Sequence, residues 1–257
     1  MKLINKLHPL ASVLVITTSL GIAKLALYWL HFEPFSFGLS TLFAGSLTGT
    51  IFLLGFILAG VLTDYKESER MPSELITAIS SIWQEAKISA YNKDRANLEL
   101  IRQYILTFIN IFRNDFLLER NNSVFEFLDS SWKIFAVLDV TIPPTFMARM
   151  RADHSNIRRI LSRIKTIRDT SFSEYGYLML ELVIAFFVIA MLLLKVEPFV
   201  EGLFFLCFFS FVLIAVFQLI RDMDNPFEYG LKHGKDEVSF AELYNFKIQI
   251  ENDKLQD

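Results

Sequence analysis

One cysteine in 257 residues excludes a disulfide framework and any zinc site built from thiolates. The 25 Lys and Arg against 28 Asp and Glu leave a formal charge of −3, without the basic excess of a nucleic-acid binder. Seven Pro and ten Gly leave little room for a long disordered linker. The four histidines (His8, His31, His154 and His233) are scattered, with no metal-ligand spacing such as H-E-x-x-H. There is no G-x-S-x-G, P-loop or dinucleotide fingerprint, and Cys207 sits in an apolar run without a nearby base. The sequence therefore offers no catalytic constellation, and no cofactor or metal is expected.

What is abundant is apolar. The chain is 53% hydrophobic with 26 Phe, and its mean hydropathy is +0.40. The excess is concentrated in four runs, at about 10–30, 39–62, 177–194 and 202–220. Each has roughly the 20 residues that a helix needs to cross about 30 Å of hydrocarbon, and helices satisfy their own backbone groups there. A cleavable leader is the competing reading of the first run, but the run is long for one and lacks a small-x-small site before Lys24 to His31. Only His31 to Gly38 separates the first two runs and only Lys195 to Glu201 the last two, so the runs read as two hairpins.

The expected organisation is all-α: a transmembrane hairpin over 1–63, a helical domain over 64–175, a second hairpin over 176–221 and an acidic tail over 222–257. The segment from Asp64 to Tyr175 carries 16 Lys and Arg and 15 Asp and Glu. Lys2, Lys6, Lys66, Arg70, Arg168 and Arg221 fall on one side of the four runs against Lys195 on the other. The positive-inside rule then puts both termini and the charged segment in the cytoplasm of a cell-membrane protein.

That segment reads as helix throughout. Ile76, Ile79, Trp83 and Ala86 share a face after Pro72, where a kink or break is expected. Ile101, Ile105, Phe108, Ile109, Phe112 and Phe116 keep a helical period. Ser123-x-x-Glu126 resembles a capping box opening a helix with Leu128, Trp132 and Phe135 inward. Pro143 and Pro144 break the chain, and Ile157, Ile160, Leu161, Ile164 and Ile167 mark a last helix. These stripes are broad enough to pack a bundle. Ser239-x-x-Glu242 in the tail is a further helix start.

The second run carries the strongest hint of function. Thr41, Gly45, Thr48, Phe52 and Phe56 recur at helical spacing, while Gly45, Gly49 and Gly55 permit close helix approach. Such a face suits a narrow pore with stacked Phe rings as a dry constriction, and it equally suits packing inside one bundle. Two charges lie within the runs. Lys24 reads as snorkelling to the outer end of its span or as a cationic site for an anion. Glu181, about one turn inside its span, reads as snorkelling or as half of a local salt bridge. Arg149, Arg151, Arg158, Arg159, Arg163, Lys165 and Arg168 make the last helix of the charged segment basic, with Asp153 among them. Such a helix attracts anions to a pore mouth, contacts anionic lipid or is simply solvated.

Two short stretches carry a family likeness. Phe52-Leu-Leu-Gly-Phe56, followed by Thr63 and Pro72, and Asp224-Asn225-Pro226-Phe227 after the fourth run occur at matching points of one topology. The chain resembles the bestrophin and bestrophin-like membrane proteins. The resemblance implies a homopentamer with the second span lining a chloride or anion pore. Phe52 and Phe56 would then be neck residues and Thr48 a third ring where the family often has an aliphatic residue. It further implies a tail that wraps neighbouring subunits. The dense acidic run of calcium-activated members is missing: Phe227 is followed by Glu228, Tyr229, Gly230 and Leu231, with Asp236 and Glu237 later, too sparse for a calcium clasp. The expected partners are the lipid bilayer, small inorganic anions such as chloride and further copies of the chain, with no nucleic acid. The competing reading is a non-conducting membrane adaptor whose bundle binds a protein or anionic lipid, with Phe52 and Phe56 buried inside one subunit.

Overall fold

The computed structural model describes residues 2–32, 41–91, 95–118, 121–169, 174–224, 226–227 and 238–253. Nine α-helices and one π-helical segment account for most of them: α1 (Lys2–Trp29), α2 (Thr41–Tyr91), α3 (Arg95–Ile111), the π segment (Phe112–Leu118), α4 (Ser123–Ser130), α5 (Trp132–Leu138), α6 (Pro144–Asp169), α7 (Glu174–Leu193), α8 (Phe199–Met223) and α9 (Ala241–Asn252). The chain divides into two compact units, 1–65 with 170–225, and 66–169 with 226–257. Helix α2 contributes its first half to one unit and its second half to the other.

The first unit contains the four apolar runs. Stretches of α1, α2, α7 and α8 are each long and apolar enough to cross a membrane. The most extensive pairing here joins α1 to α8, far apart in sequence, and α7 packs on its sequence neighbour α8. Helix α1 lies chiefly against α8 and also against α7. The reason is visible in the side chains. Gly21 of α1 admits Cys207 and Leu203 of α8, whose nearest atoms would lie 3.2 and 3.8 Å from an added Cβ. Ser12 donates a hydrogen bond to Gln218 of α8 at 3.4 Å, so the most polar residue of the fourth run finds its partner on α1. Leu54 and Val61 of α2 belong to one core cluster with residues of α7 and α8, and the Phe43 ring lies 4.9 Å from that of Phe187 on α7. At the start of α8 an added methyl on Gly202 would lie 2.8 Å from the Val196 Cβ. Gly202→Ala should therefore destabilise the α7–α8 connection by about 1–3 kcal/mol, read as a lower melting temperature of the purified protein.

The second unit is a helical bundle built on the expected stripes. Ile79, Ile82, Trp83, Ile101, Ile105, Phe108, Phe112, Phe116, Ile157, Ile160, Leu161 and Ile164 are all buried in one core. The local structure departs from the expectations at several points. Of the kink or break expected at Pro72, the break does not occur: α2 runs continuously through it, with Met71, Leu75 and Ile79 on either side anchored in the core. Trp132 is 63% exposed rather than inward. The expected single helix is divided at Ser131, whose buried hydroxyl donates to the Leu128 carbonyl at 2.6 Å and lies 2.8 Å from His154 Nε2. Residues beyond the division change face, leaving Leu128 and Phe135 inside. Helix α4 starts at Ser123, but without a capping box: the Ser123 hydroxyl donates to Asp115 at 2.8 Å. Likewise α9 starts at Ala241, with the Ser239 Oγ accepting the Ala241 N–H at 3.3 Å.

Candidate functional site

The first half of α2 has two unlike sides. Thr50, Leu54 and Val61 are buried, with Phe43, Leu47, Ile57 and Leu58 partly covered beside them. The opposite side is open in the protomer and consists largely of Ala44, Gly45, Thr48, Gly49, Ile51, Phe52, Gly55, Phe56, Ala59, Gly60 and Thr63. Phe52 is 75% exposed and Phe56 71%. A Cβ added at Gly45, Gly49 or Gly55 would meet no atom within 4 Å, so among the described residues no helix exploits the close approach that these glycines allow. The adaptor expectation of Phe52 and Phe56 buried inside one subunit is not met by this protomer.

The open side differs chemically from those of the other spans. Helix α1 exposes Leu14, Val15, Ile16, Ile22 and Leu25, and α7 exposes Leu178, Met179, Leu182, Phe186 and Ile189. Those are bulky aliphatic and aromatic surfaces of the kind that lipid chains cover. On α2 the exposed side chains are mostly glycine, alanine, serine and threonine, interrupted by Phe52 and Phe56 one turn apart and by the partly exposed Ile51 and Leu53. The Thr48 hydroxyl donates to the Ala44 carbonyl at 2.9 Å and the Thr63 hydroxyl to Ala59 at 2.8 Å, so both are tied to their own helix.

Lys24 does not snorkel outward. Its side chain is fully enclosed at 1% exposure, and Nζ donates to the carbonyls of Leu192 at 3.0 Å and Leu194 at 2.5 Å. These belong to the C-terminal end of α7, where backbone oxygens lack intrahelical partners and the helix dipole favours a cation. The side chain thus closes a helix end rather than facing a solvent-filled mouth. Sequence alone could not reveal this, because Lys24 and Leu194 are 170 positions apart.

The basic helix α6 is largely neutralised by acids of its own unit. Arg163 holds Glu67 through two nitrogens at 2.8 and 2.6 Å, and this guanidinium keeps the Glu67 carboxyl below the usual carboxylate range. Arg158 pairs with Asp129, Arg149 with Glu85 at 2.8 Å and Arg151 with Asp139 at 3.1 Å. Arg168 is buried, donating to the Phe116 carbonyl at 2.6 Å and stacking over the Phe116 ring, so it seals the π segment rather than joining a solvated face. Arg159 donates to the Asn156 amide oxygen at 2.8 Å. With Arg163 it lines a cleft of about 400 Å³ opposite Glu67, Arg70 and Glu74. Of the three arginines nominated as anion-attracting, Arg158 and Arg163 already hold carboxylates.

In the post-span stretch, Asp224 follows the end of α8, while Asn225 lies outside the described residues. The Pro226 carbonyl accepts the Val238 N–H at 3.1 Å, and Phe227 is completely buried in the second unit beside Phe240. The motif thus works as an anchor. The sparse acids Glu228, Asp236 and Glu237 also lie outside the described residues. Among the described residues no group of three His, Cys, Asp or Glu is disposed to hold a metal ion.

Four apolar helices of membrane-spanning length joined to a helical bundle define a multi-pass, all-helical membrane protein. No protein-family model matches the chain, and no curated protein does. Solved structures do. A crystal structure of a bacterial bestrophin homologue from Klebsiella pneumoniae carrying a point mutation superimposes with a TM-score of 0.72 at 11% identity, covering 96% of this chain and 99% of the homologue. Another mutant of a Klebsiella pneumoniae bestrophin homologue gives 0.72 at 10% identity, covering 93% and 96%. A variant described as a membrane protein gives 0.70 at 11% identity, covering 94% and 96%. The chain has the fold of these bestrophin homologues over 93–96% of its length.

Proposed function

We propose that the chain is the subunit of a homo-oligomeric, bestrophin-like channel, a pentamer by resemblance, that conducts small anions such as chloride. The open side of α2 would line its axis. The observation that carries this reading is the composition of that side: small residues and threonines, with Phe52 and Phe56 projecting one turn apart, in a helix whose other side is packed. Small residues let copies of one helix gather closely around an axis. Threonines tolerate water there, and the two Phe levels supply a hydrophobic constriction that gates by dewetting. A four-span subunit surrounds a central path only as a ring. The anion preference rests on the family likeness, since most arginines of α6 are engaged by acids. We assign the protein to the cell membrane with both termini cytoplasmic, on the excess of Lys and Arg at one side of its spans. The reading includes no calcium gate.

The test is reconstitution of purified protein into a planar bilayer under a potassium chloride gradient, alongside native mass measurement of the assembly. The expected outcome is a five-fold mass and a current reversing near the chloride potential. Reversal at the potassium potential would keep a channel and remove the anion assignment. A folded monomer without conductance would overturn the proposal.

A further inference from the structure

Glu181 and Arg221 are the acid and the base of one cleft. It has a volume of about 310 Å³ and is lined by Tyr177, Leu178 and Glu181 of α7 and Arg221 of α8. Neither charge forms an ion pair with the other or with another described residue. Both lie toward the same end of the α7–α8 hairpin. Glu181 is about 9 Å of helix inside the apolar stretch that begins at Tyr175, and Arg221 stands in the last turn of α8. Leu178 and Leu182 are exposed on α7 beside the cleft, on a face of the kind that lipid chains cover.

A charge at membrane depth needs a partner, a route to water or a function. Here two opposite charges open onto one cavity without meeting. The complement is a ligand that carries a cation and an anion a few bonds apart and has apolar chains to lie along the helix. We propose that this cleft binds the headgroup of a zwitterionic phospholipid with a primary ammonium, the phosphatidylethanolamine class.

The planar guanidinium of Arg221 presents paired N–H donors that match a phosphodiester. Glu181 accepts from the ammonium, which offers three N–H donors. A choline headgroup has the same net charge but no N–H to give, and a glycerol headgroup has no cation at all. The headgroup lies along the cleft, across the two helices, and its acyl chains run beside Leu178 and Leu182. The cleft therefore selects for ethanolamine through Glu181 and for phosphate through Arg221, and the two contributions separate by mutation.

The experiment places the full-length protein in nanodiscs of equal phosphatidylethanolamine, phosphatidylcholine and phosphatidylglycerol and measures the lipids retained by native mass spectrometry. The expected result is phosphatidylethanolamine enriched about tenfold over the other two, the ratio that 1.4 kcal/mol of selectivity gives. Glu181→Gln should abolish the preference over phosphatidylcholine and admit phosphatidylglycerol. Arg221→Gln should lose retained lipid of all three classes, and Arg221→Lys should restore part of it, which guards against a variant that merely misfolds. Equal retention of ethanolamine and choline lipids by the native protein would overturn the proposal. So would a preference unchanged in Glu181→Gln, or displacement of the lipid by soluble phosphoethanolamine, which would make the ligand a free metabolite instead.

Discussion

Replacing Lys24 by Met is expected to lower the stability of the purified protein by about 2–4 kcal/mol, because it takes the Lys24 donor from one buried and one part-buried carbonyl. Methionine nearly matches lysine in length and fills the same space, so the comparison isolates the ammonium from the packing. The carbonyls of Leu192 and Leu194 lose their bonds to Nζ, which the structure records at 3.0 and 2.5 Å. Water cannot readily compensate a site whose lysine is 1% exposed, and in a membrane-spanning unit an orphaned backbone group is costly. The helix-end dipole adds to the loss, since a cation there offsets the partial negative charge of the terminal carbonyls. Thermal melting in a fixed detergent measures the total. Hydrogen exchange gives the location: residues at the C-terminal end of α7 should lose protection while the second unit keeps its own. A methionine variant that melts with the native protein would remove this structural role and return Lys24 to the anion-attracting reading.

The same lysine marks the limit of what the sequence makes legible. The apolar runs, the bundle stripes and the all-helical class follow from periodicity, because each is a local property of ten to twenty-five residues. The partner of a charge is not local. Lys24 reads as a snorkelling residue when only its distance from the end of its own span is known. Its burial depends on α7 ending beside it. The arginines of α6 behave likewise: in sequence they form a basic run, and in the fold Arg149, Arg151, Arg158 and Arg163 each meet an acid from elsewhere in the chain. Trp132 shows a smaller version of the same problem. Extending the stripe of Leu128 by one turn puts it inside, but the helix is divided at Ser131 and Trp132 is 63% exposed. A short loop joins α1 to α2 but does not specify which side chains α1 meets, and Gly21 and Ser12 find theirs on α8.

The candidate pore face was legible for the opposite reason. Thr48, Phe52 and Phe56 lie on one helix at spacings of four, so their alignment needs no tertiary information. What sequence left open was whether the rest of the chain covers them. Among the described residues none does, and this exposure is what makes a test on these residues decisive.

Phe52→Ala/Phe56→Ala is expected to raise the current per assembled channel by tenfold or more over the native protein. A pore ringed by phenylalanine at two successive turns of α2 holds water poorly, and an ion crossing it sheds hydration without a polar replacement. Removing both rings widens the path by the depth of a benzyl group at each level and lets water remain. A barrier lowered by about 1.4 kcal/mol already gives the tenfold increase. Each single substitution should have a smaller effect, because the remaining ring still interrupts the water column. Thr48→Leu should act in the opposite direction, reducing current by drying a level that threonine leaves wettable. The alanine variants retain the packed side of α2 through Leu54 and Val61, so loss of folding is not anticipated, and an unchanged native mass would confirm it. Equal currents from native and double-mutant channels would remove the gate from these two residues. A current that rises in Phe52→Ala/Phe56→Ala and falls in Thr48→Leu would instead identify one wetting transition along a single helix face as the step that controls conduction.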